Sequence, residues 1–287
     1  MGVKTNNLNE LRSEIDIIDE SLHDLIMRRA DVVTRIKEAK QDSGGPIFWP
    51  GREAEVLRRL MKRHHGNFPP GAIVRIWREL ISTFVSMQGE FKIAVWVGDD
   101  PTYWDIARDH FGSQMLFTSH ATPCGVLQAV ADGAAGAGIV PLPQVDEEGP
   151  WWPLLGCEND RRQVRICARL PFLGGGNRRG GKREALVVAD LTPVDTGEDG
   201  SYLIIESCNP ISRSRLTELL IFEGFTPVAL ISIPNTIDME KRETFLIEVE
   251  GFVGIEDRRL GKLLDDNTDF DVVRAVGTYA KPLNSET

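Results

Sequence analysis

The sequence predicts a multidomain chain, in which an all-α domain is followed by a small α/β segment and an α+β tail. Three observations support this division. The 287 residues exceed the length at which one hydrophobic core usually grows. Apolar residues show only helical spacing up to residue 91, and strand patterns begin after it. Residues 1–91 carry 14 Lys/Arg and 13 Asp/Glu, whereas the remainder carries 19 and 30. We therefore expect domains at 1–91, 92–195 and 196–287.

The first element is a long amphipathic helix. From about Leu8 to Lys40 the apolar residues recur in steps of three and four, with no Pro or Gly between them. At ~1.5 Å per residue such a helix spans roughly 50 Å. Its apolar stripe is too long to be buried within one small domain, so we expect partner helices from a second chain. The run Ser-Gly-Gly-Pro at 43–46 ends the helix.

Two shorter helices complete the first domain. One follows Pro50 and covers REAEVLRRLMKRHH. The other opens at Pro69-Pro70 and continues through AIVRIWRELISTFVSMQ, with its apolar side chains on one face. Three helices without a strand make this domain all-α.

Strand patterns begin after Phe91. The segments KIAVWVG, QMLFTS and AGAGIVPLP are typical of strands and alternate with the helical segments DPTYWDIARDHFG and ATPCGVLQAVADG. This alternation favours a small parallel sheet. VRICARLPFL and REALVVADL predict two further strands. From SYLIIES to DVVRAVGTYA the order is strand, helix, strand, strand, helix, strand, which is typical of the ferredoxin-like split motif.

Composition and charge exclude several classes of protein. The net charge of −10 argues against a general nucleic-acid-binding protein, which needs a basic face. No segment approaches ~18 consecutive apolar residues, so we expect no membrane span. The N-terminus has no apolar secretory region, and the four cysteines form no CxxC pair. We therefore expect a cytoplasmic protein without a metal site.

Several polar residues of the helical domain share a regular spacing. Arg29 and Lys40 are eleven residues apart, and at ~100° per residue they return to within about 20° of each other on one helix face. Arg12 points roughly 100° away from Arg29 and lies some 25 Å from it along the axis. It can serve the same small site only in a partner chain, if two long helices run antiparallel. Arg52-Glu53 begins the second helix, and Gln88 lies on the third.

Residues 6–90 resemble the all-helical chorismate mutase domain. The resemblance rests on LNELRSEIDIIDESLHDLIMRRADVVTRIKEAK, PIFWPGREAEVLRRL and PPGAIVRIWRELISTFVSMQ, with the spacing of the polar residues kept. It implies an intertwined homodimer that rearranges chorismate to prephenate in phenylalanine and tyrosine biosynthesis. It also implies an enzyme that needs no cofactor and no metal.

The resemblance implies catalytic roles for three residues. Lys40 and Gln88 donate hydrogen bonds to the ether oxygen of the substrate, and Glu53 accepts one from the ring hydroxyl. The rearrangement is pericyclic, so it needs no nucleophile and no proton transfer. The enzyme has to hold a compact conformer and stabilise the charge that builds on the breaking C–O oxygen. A preorganised donor at that oxygen is typically worth about 3 kcal/mol.

Three arginines are implied as substrate-binding residues. Arg29 binds one carboxylate, Arg12 of the other subunit binds the second, and Arg52 opens the family's Arg-Glu pair. A guanidinium group can donate two parallel hydrogen bonds to a carboxylate, which suits a substrate with two carboxylates. Two positions depart from the family pattern. Phe84 stands where many members have a serine that contacts a carboxylate, and Trp49 stands at the pocket rim where Arg or Asp is frequent.

The whole chain resembles a fused chorismate mutase–prephenate dehydratase. KIAVWVGDDPTYWDIARDHFG is similar to the dehydratase start, and DFDVVRAVGTYAKP to the end of its amino-acid-binding domain. Arg183-Glu184-Ala185 stands where the Thr-Arg-Phe signature is expected, and Ile-Ser-Ile-Pro at 231–234 stands where Glu-Ser-Arg-Pro is expected. The segment 92–195 is also short for two dehydratase lobes. We therefore expect a degenerate dehydratase segment and a tail without visible phenylalanine-binding motifs.

Three alternative functions stay open. In the first, the chain is a bifunctional enzyme that also dehydrates prephenate. In the second, it is a non-catalytic regulator whose tail senses a metabolite. In the third, it is a lyase of the same helical fold that acts on isochorismate. The missing Thr-Arg-Phe argues against the first, and the intact charged set argues against the second. The run GNRRGGK at 176–182 has P-loop spacing, but Arg183 follows where Ser or Thr is required, so we interpret it as a hairpin loop.

Overall fold

A computed structural model of the chain describes residues 8–43, 45–98, 101–145, 147, 149–156, 162–174, 183–235 and 242–283. The run 176–182 lies outside them. The helices are α1 (Leu8–Ser43), α2 (Pro50–Arg63), α3 (Pro70–Gln88), α4 (Thr102–Phe111), α5 (Pro123–Ala131), α6 (Arg213–Phe222) and α7 (Arg258–Asp265). The strands are β1 (Lys92–Trp96), β2 (Leu116–His120), β3 (Ala137–Pro141), β4 (Val164–Leu170), β5 (Ala185–Asp190), β6 (Asp199–Ser207), β7 (Pro227–Asn235), β8 (Arg242–Glu250) and β9 (Phe270–Ala280). Their order matches the predicted order. No helix among the described residues has the length and apolar character to cross a bilayer.

Helix α1 is as long as its apolar spacing predicts. It covers 36 residues, which corresponds to roughly 54 Å. Ten of its large apolar side chains are between 40% and 65% exposed in the single chain: Leu8, Leu11, Ile15, Ile17, Ile18, Leu22, Leu25, Met27, Val32 and Ile36. A continuous apolar face of this kind usually marks an interface with another macromolecule.

The chain divides into two compact units. The first comprises residues 1–47 and 84–90, and the second comprises residues 48–83 and 91–287. Helix α2 and most of α3 therefore belong to the same unit as the strands, whereas α1 belongs with the last residues of α3. The domain boundaries after residues 91 and 195 stay a prediction.

One mixed sheet of nine strands forms the framework of the second unit. The strand order is β2-β1-β3-β5-β4-β9-β6-β8-β7. Strand β1 pairs in parallel with β2 and β3, whereas β5 is antiparallel to both β3 and β4. The predicted parallel sheet is thus limited to three strands. No helix separates β4 from β5 among the described residues, and strands that follow each other without a crossover pair antiparallel.

The α/β segment and the tail share this sheet where β4 lies beside β9, and an isolated bridge joins Leu173 to Leu283 just beyond the two strands. Ile166 pairs in parallel with Gly277. The φ angle of Gly277 is +151°, and a Cβ atom there would lie 2.2 Å from the Ile166 carbonyl oxygen. Only glycine permits this approach.

The tail strand β6 contributes to two hydrophobic clusters, one on each face of the sheet. Leu203 and Ile205 pack in a cluster with residues of α6 and α7. Ile204, which points to the opposite face, packs in a cluster that includes the fully buried Trp151 and Trp152. This alternation follows from the two-residue period of a strand.

Helix α2 is anchored to the tail by Arg58. The buried guanidinium donates to Thr196 O at 3.2 Å, Thr196 Oγ1 at 2.8 Å, Glu198 O at 2.6 Å and Lys281 O at 3.2 Å. The neighbouring Leu57 is fully buried in a small apolar cluster that includes residues of β9 and the segment after β4. The orientation of α2, which carries Arg52 and Glu53, is therefore set by the tail and the sheet.

Candidate active site

Lys40 and Gln88 meet within the first compact unit. Lys40 lies in the last turn of α1, and Gln88 is the last residue of α3. Lys40 Nζ donates to Gln88 Oε1 at 3.3 Å and to Pro46 O at 2.8 Å, while Gln88 Nε2 donates to Phe84 O at 3.1 Å. Burial lowers the pKa of Lys40. The ammonium is thus a cation held in a fixed place before any ligand binds, as electrostatic catalysis requires.

Arg29 lies in the same unit and is half-buried. Its guanidinium carbon lies 4.4 Å from the centre of the Phe84 ring, within the range of a cation–π contact. Burial lowers the pKa of Arg29. Its Nη1 atom is buried and has no hydrogen-bond partner among the described residues. An unpaired buried donor costs about 1–3 kcal/mol, and an anionic ligand would satisfy it.

Phe84 therefore has a role that the sequence comparison did not predict. At this position many family members have a serine that contacts a substrate carboxylate. The sequence therefore indicates only that this hydrogen bond is lost. The structure shows a buried aromatic ring beneath Arg29 and a carbonyl that orients Gln88. Phe84 lies four positions before Gln88 on one helix, so the sequence alone could have predicted that the two residues are neighbours.

Glu53 lies in the second unit as a buried carboxylate. Its Oε2 accepts a hydrogen bond from Arg78 Nη1 at 2.7 Å, and the side chains are 11% and 5% exposed, respectively. Burial raises the pKa of Glu53, and the charge of Arg78 opposes that rise. Among the described residues, Oε1 of Glu53 has no hydrogen-bond partner. This oxygen is chemically suited to accept a hydrogen bond from a hydroxyl group of a ligand.

Arg78 is not among the residues predicted from the sequence. It lies on α3 in line with the buried Val74, Ile81 and Val85. An arginine within an apolar helix face is rarely buried without an anion beside it. An arginine at this position could have been predicted from the sequence to pair with a buried carboxylate such as Glu53.

The predicted residues fall into two groups. Arg12, Arg29, Lys40 and Gln88 belong to the first unit, and Arg52 belongs with Glu53 to the second. The structure brings Lys40 and Gln88 into contact. Arg12 is exposed on α1.

The remaining predicted positions lie at the start of α2. Arg52 is exposed and pairs with Glu55 at 2.7 Å, one turn along the helix. Trp49, which was predicted to lie at the pocket rim, is 41% exposed at the N-cap of α2. No group of three or more His, Cys, Asp or Glu in the described part of the chain is arranged to hold a metal ion.

Comparisons with known proteins show a family match over the helical segment. Residues 11–89 match the family model of chorismate mutase type II. A bifunctional chorismate mutase/prephenate dehydratase from Aquifex aeolicus (strain VF5) is 35% identical over 144 residues, which cover 47% of this chain and 38% of the relative. The corresponding protein of Pseudomonas aeruginosa is 32% identical over 143 residues, covering 48% and 39%. The match thus spans less than half the length of these curated relatives.

A solved structure is similar over a larger part of the chain. The prephenate dehydratase from Streptococcus mutans has 16% sequence identity and a TM-score of 0.47, and the alignment covers 67% of this chain and 98% of that one.

Proposed function

The chain carries a chorismate mutase type II domain at its N-terminus, and we propose that this domain rearranges chorismate to prephenate. The observation that carries the proposal is the contact between Lys40 and Gln88, in the same unit as a half-buried Arg29 with an unpaired donor. A unimolecular rearrangement of a dicarboxylate needs these groups: a cation for a carboxylate and a fixed donor for the breaking C–O bond.

The first unit would supply the electrostatic part of catalysis. Arg29 binds a carboxylate through Nη1, while the Phe84 ring limits the positions that its guanidinium can take. Lys40 stabilises the negative charge that grows on the ether oxygen. Gln88 contributes the second donor by exchanging its Nε2 bond to the Phe84 carbonyl for one to the substrate.

The start of α2 would supply the contacts to the rest of the substrate. Glu53 accepts the ring hydroxyl through Oε1, and Arg52 exchanges its exposed pair with Glu55 for a substrate carboxylate. The cost of breaking that pair is small, because exposed ion pairs contribute about 0–1 kcal/mol.

We also infer a homodimer in which Arg12 serves the partner's site. The exposed apolar stripe of α1 supports it, because a second α1 is a matching surface of the same length. A cytoplasmic location fits the free thiols of Cys124, Cys167 and Cys208, since disulfides are rare in reducing compartments.

For the remainder of the chain we propose the boundaries 92–195 and 196–287, with a ferredoxin-like tail. The strand order β9-β6-β8-β7 and the connections through α6 and α7 support the tail assignment. Within the proposed degenerate dehydratase segment, Glu184 is bound to Arg169, at 3.0 Å from Nε and 3.1 Å from Nη2.

The direct test is incubation of the purified full chain with chorismate, followed by identification of the products. We expect prephenate. Replacing Lys40 by Ala should lower kcat by about 10²–10³, the usual cost of removing a preorganised donor, while the helix content by circular dichroism is retained. The exposed Lys62 on α2 is the matched control, and Lys62→Ala should keep full activity. Undiminished turnover by Lys40→Ala would refute the assigned site.

The same incubation tests the bifunctional alternative. The match to the bifunctional relatives extends over 144 residues, whereas the family model covers only residues 11–89. We expect prephenate to accumulate without conversion, because the Thr-Arg-Phe signature is missing. Formation of phenylpyruvate would show instead that the chain also dehydrates and decarboxylates prephenate.

Subunit mixing tests the shared site. Arg12→Ala and Lys40→Ala homodimers should both be inactive. A mixed dimer would combine an intact Arg12 and an intact Lys40 at one of its two sites. Since random exchange yields half mixed dimers, about a quarter of the original activity should return after subunit exchange in a symmetric dimer. No recovery after verified exchange would contradict a trans Arg12.

A further inference from the structure

We propose that Arg78 is a positioning residue for catalysis: it keeps the Glu53 carboxylate ionised and turned so that Oε1 faces the ring hydroxyl of the substrate. The inference rests on the proposed function, which gives Glu53 its role as the hydroxyl acceptor. Nothing in the sequence comparison or in the reaction itself requires an arginine at this place.

The geometry of the ion pair divides the two carboxylate oxygens. Arg78 Nη1 lies 2.7 Å from Oε2, while Oε1 has no hydrogen-bond partner among the described residues. Both side chains are almost fully buried, so water competes little for the ion pair. Glu53 lies in the first turn of α2, where the helix dipole also favours a negative charge. The ion pair thereby fixes Oε2 and leaves Oε1 available to a ligand.

The surroundings leave Arg78 as the cation that balances Glu53. The groups facing this pair come from α4 and β4. His110 is buried, and burial together with the charge of Arg78 lowers its pKa well below the ordinary value, so it is neutral. Burial and the charge of Glu53 raise the pKa of the Cys167 thiol, so it is neutral as well. Burial alone would favour the protonated form of Glu53, which would donate a hydrogen bond instead of accepting one.

The guanidinium itself is held in place. Its carbon lies 5.4 Å from the centre of the Phe172 ring, and Phe172 is buried in the apolar cluster beneath α2. A planar guanidinium fixed against a ring directs its N–H groups, whereas a lysine ammonium supplies only charge. Arginine is therefore required for orientation as well as for neutralisation.

The test is steady-state kinetics of the full chain over a range of pH. Arg78→Met should lower kcat about 10- to 100-fold and move the acidic limb of the kcat/KM profile to higher pH, because Glu53 then ionises less readily. Arg78→Lys should restore the position of the limb but not the full kcat. The matched control is Arg75→Met, an exposed arginine one turn earlier that pairs with Asp109 at 3.0 Å.

A double variant separates positioning from folding. Glu53→Gln combined with Arg78→Met removes both charges, so it should fold even if the single Arg78→Met chain does not. Its kcat should equal that of Glu53→Gln alone, because Arg78 acts through Glu53. The inference is overturned, while the proposed function stands, if the two losses multiply or if the acidic limb of Arg78→Met stays where it is in the unmodified chain. A limb of Arg78→Lys that moves as far as that of Arg78→Met would overturn it as well. An unmodified chain that does not convert chorismate overturns both.

Discussion

Three charged residues of the proposed site, Arg29, Lys40 and Glu53, are partly or fully removed from water, whereas Arg12 and Arg52 are exposed. Burial shifts the pKa of Arg29 and Lys40 downward and that of Glu53 upward. The free-energy cost of desolvating each group is therefore met by folding and does not reduce the affinity for substrate. Interactions made in such surroundings are stronger than the same pairs in water. Such surroundings would allow a few side chains to promote the proposed unimolecular rearrangement.

His110 gives a prediction about acid stability. Its imidazole is neutral in the folded chain because burial and Arg78 lower its pKa, whereas the unfolded chain takes up a proton below about pH 6.5. The free energy of unfolding should therefore be full above that pH and fall as the pH drops, by up to about 1.4 kcal/mol per unit. We expect urea unfolding of His110→Gln to show a shallower loss between pH 7.5 and 5.5.

Comparing the two proteins at each pH cancels the contribution of Glu53, whose raised pKa acts in the opposite direction. The exposed His65 is the control position, and His65→Gln should keep the acid-dependent loss of the unmodified chain. Equal pH slopes for His110→Gln and the unmodified chain would contradict a neutral, buried His110.

Sequence patterns predicted part of the site at this scale. Helical spacing was enough to connect Arg29 with Lys40, because both lie on one helix. The family resemblance added Gln88, which the structure brings to 3.3 Å from Lys40. Arg78 escaped prediction because its partner, Glu53, lies on another helix, and the pair exists only after α2 and α3 pack.

Among the elements, α2 depends for its position on a distant part of the chain. Arg58 reaches backbone carbonyls at Thr196, Glu198 and Lys281, more than a hundred residues away. Gly51 also lies close to the tail, since a Cβ atom there would be 3.1 Å from Thr196 Cγ2. The helix that carries Glu53 is thus held by the same segment that begins the proposed tail.

Replacing Arg58 by Met tests this attachment. The substitution keeps an apolar stem but leaves the buried acceptors unpaired, so we expect a loss of about 2–4 kcal/mol in the free energy of unfolding. Arg59→Met, at the exposed neighbouring position, should change it by no more than about 0.5 kcal/mol. Denaturant titration of both variants decides the matter, and equal midpoints would show that the four hydrogen bonds contribute little.

The elements themselves were largely predictable, because periodicity and helix-ending residues are local signals. Helix α1 and the strands β6 and β9 lie where the apolar pattern places them. The hairpin interpretation of 176–182 implies that β5 runs antiparallel to β4, which is the direction that the structure shows. The antiparallel pairing of β5 with β3 was not predicted, since apolar content does not tell a parallel neighbour from an antiparallel one.

For the molecule as a whole, Gly277 is the point of close approach at which β4 and β9 join the two parts of the sheet. Gly277→Ala would place a methyl group against the Ile166 backbone and impose a strained φ angle, so we expect a loss of several kcal/mol, about 3 or more. Gly261→Ala is the control, because nothing lies within 4 Å of that position on α7. It should be neutral or raise stability by about 0.5–1 kcal/mol. Similar melting temperatures for the two variants would contradict the close packing of β4 on β9.

The pairing of β4 with β9 could not be predicted from the sequence. The tail has a complete strand and helix order of its own, which predicts a separate domain. Ile166 and Gly277 are more than a hundred positions apart, and a lone glycine in a strand pattern does not identify its partner. The single sheet becomes visible only when the strands are placed in space.

The attachment of α2 has a consequence for how this enzyme can be divided and recombined. A fragment that ends near residue 91 would contain every residue assigned to chorismate, yet it would expose Leu57 to water and leave Arg58 without its carbonyl acceptors. We therefore expect such a fragment to be less stable than the full chain. The acidic C-terminal two-thirds would then be needed to support α2, whatever chemistry of its own it carries.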